Sequence, residues 1–298
     1  MNQQVSDLLK PEILHTVSGL ELIARIVVEG FMSGSNKSQA VGAGQEFSQY
    51  RSYEPGDDLR QLDWKMYARS ERYYIKQAEI ETNITVKFML DTSRSMAYSE
   101  RSVSKLDYAK VMTAALAYLA RKQSDTFGLF AISDQGIHSV QPRFEQQQYM
   151  KFLHTLVELK GKGQWAKGTG LEEVFAHHGK EMIIFFSDLY DDNEDLFRFI
   201  SRLKTPRNEV IVFHIMGNEE MNLDYKGSYT FEDLESGQKL KADTVVQGKP
   251  YVERVMRWVQ KSRTWMLEKQ ISYHLVLMHE PFEKVLRDFL KVRKTLAR

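Results

Sequence analysis

The chain has 298 residues, of which 42% are apolar and 27% charged, so it can build a sizeable core and is not globally disordered. Its 41 basic and 40 acidic side chains leave a formal net charge of +1, which provides no global attraction to nucleic acid or to an anionic membrane. There is no cysteine, and this excludes disulfides, thiolate metal ligands and a cysteine nucleophile. The length fits one large domain with an accessory piece, or two modest domains.

The first 82 residues do not share the regular pattern of the rest of the chain. Apolar residues recur at three- and four-residue spacing through 11–32 and predict an amphipathic helix. Small polar residues at 34–44 predict a loop. Residues 45–82 mix aromatic, charged and apolar side chains around Pro55-Gly56, a pair typical of turns, and predict short strands and turns rather than long helices.

From residue 84 onward, strand and helix patterns alternate. The predicted strands are 86–90, 126–132 with 136–142 as its hairpin partner, 181–187, 209–216 and 271–278. The predicted helices are 106–122, 144–159, a short one ending near 178, 192–204, 248–269 and one from 281 onward. Wholly apolar strands separated by helices predict an α/β fold with a mostly parallel sheet covered on both faces. We therefore expect residues 1–82 to form an N-terminal helix with a small β-rich accessory element. Residues 83–298 would form the α/β domain, with a β-hairpin inserted at about 217–247.

Oxygen-bearing side chains cluster where the predicted strands end. Asp91 and Asp188 each come directly after a strand, and such sheets bind ligands at the carboxyl ends of their strands. Ser93 and Ser95 follow in the loop before the long helix, and Thr169 lies in a glycine-rich loop. Two carboxylates and three hydroxyls suit a hard cation such as Mg²⁺, Mn²⁺ or Ca²⁺ rather than zinc.

Turn formation offers a second explanation for the same residues. Asp and Ser favour turns and helix N-caps, so Asp91, Ser93 and Ser95 taken alone leave this alternative open. Asp191 and Asp192 follow Asp188 and are expected to cap the helix 192–204 as favourable negative charge at its N-terminus.

The sequence D-T-S-R-S at 91–95 resembles the D-x-S-x-S of the metal-ion-dependent adhesion site in von Willebrand factor type A domains. Thr169 and Asp188 stand where that fold supplies its third and fourth segments. The resemblance implies that Ser93, Ser95 and Thr169 contact the metal directly, and that Asp91 and Asp188 act directly or through water. An Asp or Glu of a partner protein would complete the metal shell in the bound state.

The resemblance extends to one prokaryotic family of such domains. Residues 42–81, the DTSRSM stretch and residues 233–240 closely resemble the family called domain of unknown function 58. Its type A domain carries an extra element around the motif G-D-D-x-R-x-x-D-W, here Gly56, Asp57, Asp58, Arg60, Asp63 and Trp64. The role of this motif stays open at this point.

The family resemblance also bears on partners and location. Genes of the family commonly neighbour MoxR-type AAA+ ATPases, which implies a chaperone-like role beside a remodelling machine. Many relatives carry N-terminal membrane helices. This sequence has no window near 18 apolar residues and no recognisable signal peptide, so we expect a cytoplasmic protein without a membrane span.

Our first hypothesis is a non-enzymatic interaction module that uses a divalent cation to bind an acidic residue of a protein partner. The alternative is a metal-dependent hydrolase resembling a phosphatase, although position 93 is Ser where aspartate-nucleophile phosphatases need a second Asp. Basic and aromatic residues between 50 and 76 could bind nucleic acid, but nearby acidic residues nearly balance their charge. The glycine-rich stretch 161–170 lacks the order of a phosphate-binding loop, so we expect no nucleotide hydrolysis and no catalytic residue.

Overall fold

The structure is a computed structural model of the chain, and it describes residues 9–35, 49–53, 62, 64–77, 84–143, 147–166, 171–176, 180–190, 194–223, 227–232, 234 and 237–296. The chain divides into two compact units, Ser35–Asn83 and a larger unit made of Met1–Gly34 and Ile84–Arg298. The strands are β1 (Gln49–Ser52), β2 (Tyr74–Gln77), β3 (Thr85–Asp91), β4 (Ser99–Glu100), β5 (Val103–Ser104), β6 (Thr126–Ser133), β7 (Gly136–Arg143), β8 (Glu181–Ser187), β9 (Asn208–Met216), β10 (Ser228–Glu232), β11 (Lys239–Asp243) and β12 (Ser272–Leu277).

The helices connect and cover these strands. They are Pro11–Leu14, Val17–Ser35, Trp64–Ser70, Lys105–Lys122, Gln148–Glu158, Glu172–Phe175, Asp195–Leu203, Asn218–Asn222, Thr244–Glu268 and Phe282–Leu296, with a 3₁₀ turn at Arg94–Ala97. Within the described part of the chain, none of them combines the length and the apolar character needed to cross a lipid bilayer.

The larger unit is built on a six-stranded sheet in the order β12-β9-β8-β3-β6-β7. All neighbouring strands run parallel except β6 and β7, which pair antiparallel at one edge. The central strands β3 and β8 lie side by side, with Leu90 opposite Phe186 at their carboxyl ends. Every residue of β8 is buried, as its nearly all-apolar sequence predicts. The side chains that follow β3 and β8 therefore emerge together at the middle of one sheet edge.

Both faces of the sheet are covered. Alternate residues of a strand point to opposite faces, so Phe88 and Leu90 join one apolar core while Met89 joins the other. The first core includes residues of the helices Val17–Ser35, Lys105–Lys122, Gln148–Glu158 and Phe282–Leu296. The second includes Asp195–Leu203 and the end of Thr244–Glu268. The predicted α/β fold, a mostly parallel sheet flanked by helices, is confirmed.

The N-terminal helix differs from the prediction in two respects. It is interrupted after Leu14, because the hydroxyl of Thr16 donates to the carbonyl of Ile13 at 2.8 Å and accepts from the N–H of Gly19 at 3.1 Å. The helix after the break belongs to the larger unit and not with the accessory element. Its fully buried residues, Leu20, Ile23, Ala24, Val27 and Val28, pack in the same core as the sheet. The prediction that this helix groups with the accessory element of residues 1–82 is therefore corrected.

The predicted insertion at about 217–247 contains a hairpin, since β10 and β11 pair antiparallel from Ser228 opposite Asp243 to Glu232 opposite Lys239. A short helix, Asn218–Asn222, precedes it and was not predicted. The helix Thr244–Glu268 starts one turn earlier than expected, with Pro250 inside it. The small hairpin β4–β5 was also missed. Its turn residues Arg101 and Ser102 have φ of 50° and 69°, without the Asn or Gly that normally signals such turns.

The accessory unit is described by itself. Strands β1 and β2 pair antiparallel, as expected for a small β element. The stretch Trp64–Ser70 is helical where only strands and turns were expected, because Lys, Met, Ala and Arg within it are good helix formers. The rings of Tyr67 and Tyr73 stack with their centroids 4.5 Å apart. Of the Gly56–Trp64 motif, Gly56, Asp57, Asp58, Arg60 and Asp63 lie outside the described residues.

Candidate metal site

Asp91 is the last residue of the central strand β3 and is fully buried. Its Oδ1 accepts a hydrogen bond from the backbone N–H of Ser93 at 2.9 Å. Its Oδ2 accepts one from the hydroxyl of Ser187, the last residue of the neighbouring strand β8, at 2.7 Å. The carboxylate is therefore held from both strands in one orientation.

The two loop serines connect Asp91's loop to Asp188. The hydroxyls of Ser93 and Ser95 lie 3.0 Å apart, and Ser95 donates to Oδ1 of Asp188 at 3.2 Å. The backbone N–H of Tyr190 donates to the same oxygen at 3.2 Å. Ser93, Ser95 and Asp188 are all buried. Four of the five predicted metal ligands thus lie together.

Thr169, the fifth predicted ligand, lies outside the described residues, as do Asp191 and Asp192. The chain that leads to Thr169 is nevertheless attached to the site loop. The N–H of Arg94 donates to the carbonyl of Gly163, and the N–H of Lys162 donates to the carbonyl of Thr92, both at 2.9 Å. Two backbone bonds therefore hold the start of the glycine-rich loop beside Ser93.

A glycine is needed in this loop for two reasons. Gly163 has φ of +71°, a left-handed conformation that L side chains rarely adopt. A Cβ atom there would also overlap the carboxylate of Asp134. Close packing against Asp134, which follows strand β6, therefore explains the glycine at position 163.

The turn-capping explanation does not account for the serine hydroxyls. Ser93 precedes the 3₁₀ turn Arg94–Ala97 but makes no side-chain capping bond to it. The following long helix is capped by Ser104 and Asp107, which form a reciprocal capping box. The hydroxyls of Ser93 and Ser95 are directed to each other and to Asp188 instead.

The two aspartates form an electrostatically strained pair. Burial raises the pKa of Asp91, and the charge of Asp188 raises it further, to about 7. Hydrogen bonds from Ser93 and Ser187 lower this pKa, but they do not outweigh burial and repulsion. Two buried carboxylates are stable together when a positive charge lies between or beside them.

One such charge comes from the chain itself. Lys105, which the sequence analysis did not single out, is buried, and its Nζ lies 2.8 Å from Oδ2 of Asp188 and 2.7 Å from Oε1 of Glu220. Burial lowers the pKa of Lys105, but the carboxylates of Asp188 and Glu220 outweigh burial and hold that pKa above its usual value. In the sequence, the only sign of this role is that Lys105 directly precedes the apolar pattern of the predicted helix 106–122.

His214 lies on β9 opposite Ser187, next to the site, and is fully buried. Its Nδ1 is 2.6 Å from the hydroxyl of Tyr273, and Nε2 has no hydrogen-bond partner among the described residues. Burial lowers the pKa of His214 to about 3, so the ring is neutral. It also packs edge-on against Trp258, 4.9 Å between centroids, which fits an ordinary core histidine.

The donor set fits a hard divalent cation. In the described part of the chain, no group of three or more His, Asp or Glu side chains is placed to hold a metal. A cation here would therefore depend on the hydroxyls of Ser93 and Ser95 together with the two aspartates. All four contribute oxygen, the ligand atom that Mg²⁺, Mn²⁺ and Ca²⁺ prefer.

The chain is similar to several known proteins. The chain is 22% identical over 233 residues to the uncharacterized protein Rv1480 of Mycobacterium tuberculosis, covering 78% of this chain and 74% of that protein. It resembles the structure of BatB from Bacteroides thetaiotaomicron with a TM-score of 0.46 and 13% identity, covering 72% of this chain and 100% of that one. It also resembles an aerotolerance-related membrane protein from Bacteroides fragilis, with a TM-score of 0.48 and 14% identity, over 70% and 98% of the two chains.

Similarities at this level carry no conclusion about function. The family model is more specific, because it matches residues 49–262, well over half of the chain. This range includes Asp91, Ser93, Ser95, Thr169 and Asp188. The chain belongs to the family described as protein of unknown function DUF58.

Proposed function

We propose that this protein is a non-enzymatic interaction module that binds Mg²⁺, or Mn²⁺ or Ca²⁺ in its place, through Asp91, Ser93, Ser95, Thr169 and Asp188. The observation that carries the proposal is the continuous hydrogen-bonded set Ser93–Ser95–Asp188, with spacings of 3.0 and 3.2 Å, beside the buried Asp91. These side chains contact one another in the absence of an ion, and their proximity supports a shared ion.

The bound cation would supply a positive charge that neutral hydroxyls leave largely uncompensated. Ser93 and Ser95 contribute no negative charge, so the site retains attraction for a carboxylate from outside. We propose that an Asp or Glu of a protein partner provides it. Arg94 and Lys162 support an acidic partner, because both side chains are exposed and their backbones flank the loop that carries Ser93.

By the family resemblance, the partner we propose is a MoxR-type AAA+ ATPase, or a client protein that it remodels, in the cytoplasm. The absence of cysteine fits a reducing compartment.

We propose no catalytic role for these residues. An aspartate-nucleophile phosphatase needs a second Asp two residues after the first, and that position is Ser93. A panel of phosphoesters with Mg²⁺ tests the hydrolase alternative. Turnover that disappears in Asp91→Ala would favour that alternative over an interaction module.

The binding proposal is tested with the purified protein, Asp91→Ala, Ser93→Ala and Ser99→Ala as the matched control. Ser99 is on the nearby hairpin, and its hydroxyl donates to the carbonyl of Ala97 rather than to the site. Mn²⁺ binding by electron paramagnetic resonance and capture of the MoxR-type ATPase from the same genome are measured with and without chelator. The wild type and Ser99→Ala are expected to bind both. Chelator, Asp91→Ala and Ser93→Ala are each expected to abolish both.

Retention of full ATPase capture by Asp91→Ala in chelator would refute the metal-bridged contact. Circular dichroism and thermal unfolding establish that each variant is folded before its binding is interpreted.

A further inference from the structure

Lys105 occupies a position where a lysine is unfavourable on two counts. It is the first residue of the helix Lys105–Lys122, and the N-terminal end of a helix carries partial positive charge that disfavours a cation. Its side chain is also only 5% exposed, so its ammonium group has lost most of its hydration. A cation persists at such a place only when nearby carboxylates compensate it.

Two carboxylates do so with short contacts. The Nζ of Lys105 lies 2.8 Å from Oδ2 of Asp188 and 2.7 Å from Oε1 of Glu220. It also lies 5.1 Å from the ring centroid of Tyr98. The lysine takes one oxygen of Asp188 and leaves the other, Oδ1, to Ser95 and the N–H of Tyr190. The two oxygens of Asp188 are thus divided between an internal cation and the candidate metal ligands.

Glu220 connects this arrangement to the next segment of the chain. Its Oε2 accepts from the N–H of Gly217 at 2.8 Å. Glu100, on the hairpin β4–β5, accepts from the N–H groups of Asn218 and Glu219 at 3.0 and 2.8 Å. Glu220 is consequently fixed beside Lys105 by the fold, although it lies outside the predicted set of metal ligands.

Lys105 and Glu220 contribute opposite charges beside the two aspartates. Asp91, Asp188 and Glu220 provide three carboxylates, and Lys105 provides one ammonium, which offsets one of them. Removing Lys105 makes the site more negative, and removing the charge of Glu220 makes it less so.

We propose that Lys105 tunes the metal site: it is a tethered cation, held by Glu220, that pairs with Asp188 and lowers the affinity of the site for the divalent ion. This inference rests on the proposed metal binding. It predicts that Lys105 and Glu220, which are not among the proposed metal ligands, have opposite effects on that binding.

The test measures the Mn²⁺ dissociation constant of the full chain by electron paramagnetic resonance, at one pH and one ionic strength. Lys105→Met is expected to bind Mn²⁺ about tenfold more tightly than the wild type, because a repelling charge is removed at short range. Glu220→Gln is expected to bind it several-fold more weakly. The double variant Lys105→Met/Glu220→Gln restores the original charge and is expected to fall within about threefold of the wild type.

Lys110→Met is the matched control. Lys110 is a buried lysine on the same helix, but its Nζ donates to the carbonyl of Leu159 at 2.8 Å rather than to Asp188. Its replacement removes a buried charge without touching the proposed arrangement, and an unchanged Mn²⁺ affinity is expected. Thermal unfolding in chelator gives a second readout. Lys105→Met should unfold at lower temperature than the wild type, and saturating Mn²⁺ should recover most of the difference.

The outcomes separate the two proposals. If the folded wild type binds no Mn²⁺, the proposed function fails. If the wild type binds Mn²⁺ but Lys105→Met binds it equally or more weakly, the role of Lys105 fails and metal binding stands. If Lys105→Met does not fold, Glu220→Gln decides, because Glu220 is partly exposed and its replacement is mild. Unchanged or tighter Mn²⁺ binding by Glu220→Gln would overturn the inference.

Discussion

The hydroxyl of Ser187 donates a 2.7 Å hydrogen bond to Oδ2 of Asp91, joining the carboxyl ends of two adjacent strands. The same hydroxyl accepts from the N–H of Leu189 at 2.9 Å. Leu189 has φ of +56°, an uncommon conformation for a residue other than glycine, and it directly follows Asp188. Ser187 therefore supports both aspartates. Its hydroxyl donates to Asp91, and the same hydroxyl stabilises the turn that carries Asp188.

Replacing Ser187 by Ala is expected to weaken Mn²⁺ binding about tenfold, as loss of a residue that orients a ligand typically does. It should also lower the free energy of unfolding by about 1–3 kcal/mol, because Oδ2 of Asp91 loses a buried donor. Titration with Mn²⁺ and urea unfolding measure the two effects. Ser133→Ala is the control, since this buried serine ends the neighbouring strand β6 and accepts from the N–H of Gln135 instead. Unaltered Mn²⁺ binding by Ser187→Ala would show that Asp91 needs no such support.

Periodicity and local chemistry were sufficient to predict the sheet and the gathering of four of the five candidate ligands at its edge. The apolar runs before Asp91 and Asp188 placed both carboxylates at one sheet edge, and the structure brings them together with Ser93 and Ser95. Lys105 could not be predicted in this way. Its partner Glu220 is 115 residues away in a short helix without a clear pattern, so only the folded chain reveals the pair.

The N-terminal helix shows the same limit for the division into domains. The spacing of Leu20, Ile23 and Val27 predicts an apolar face, but it does not indicate which core that face joins. The break at Thr16 depends on a side-chain hydrogen bond that competes with helix continuation and leaves no trace in the apolar spacing.

Asp91 should make stability depend on pH in a direction unusual for an aspartate. Its pKa is raised from 3.8 to about 7 by burial and by Asp188, so the folded state retains the proton more strongly than the unfolded state. Its contribution to stability is fully present below about pH 4 and is lost as the pH rises through about 7. Between these values the wild type should lose about 1.4 kcal/mol per pH unit relative to Asp91→Asn, which does not titrate.

Urea unfolding of both proteins at several pH values, in chelator, measures this difference. Subtracting the Asp91→Asn values removes contributions shared by both proteins. These include that of His214, whose lowered pKa acts in the opposite direction by costing stability as the pH falls below about 6.5. Saturating Mn²⁺ should abolish the difference in slope, because a bound cation keeps Asp91 ionised. Parallel pH profiles in chelator would contradict the raised pKa of Asp91.

The buried pair Lys87–Glu181 should contribute to folding and not to metal binding. Nζ of Lys87 lies 3.0 Å from Oε1 of Glu181 and 2.6 Å from the carbonyl of Ala176, and both side chains are almost completely buried. Lys87→Met leaves Glu181 buried without its cation and should cost about 3–5 kcal/mol in the free energy of unfolding. The double variant Lys87→Met/Glu181→Leu should recover most of this loss, since an apolar pair of similar volume replaces the ion pair.

Chemical denaturation of the two variants and of the exposed-site control Lys180→Met checks this prediction. Mn²⁺ affinity should be unchanged in the folded double variant, because Lys87 lies near the beginning of β3 and the site lies at its end. A double variant as unstable as Lys87→Met would mean that the pair itself, rather than the unpaired carboxylate, determines stability.

Thr169 is the remaining predicted ligand, and the contacts on both sides of residues 167–170 favour its participation. Before them, Gly163 is bonded to Arg94 in the site loop, and after them Leu171 and Val174 are buried in the same core as Met89 of β3. Thr169→Ala is expected to weaken Mn²⁺ binding about tenfold, because a hydroxyl ligand is lost. Thr169→Ser retains the hydroxyl and should bind as the wild type does. Thr155→Ala is the control for loss of a threonine elsewhere, since the hydroxyl of Thr155 donates to the carbonyl of Lys151. Mn²⁺ binding by Thr169→Ala as tight as that of the wild type would remove Thr169 from the ligand set and leave the ion to Asp91, Ser93, Ser95 and Asp188.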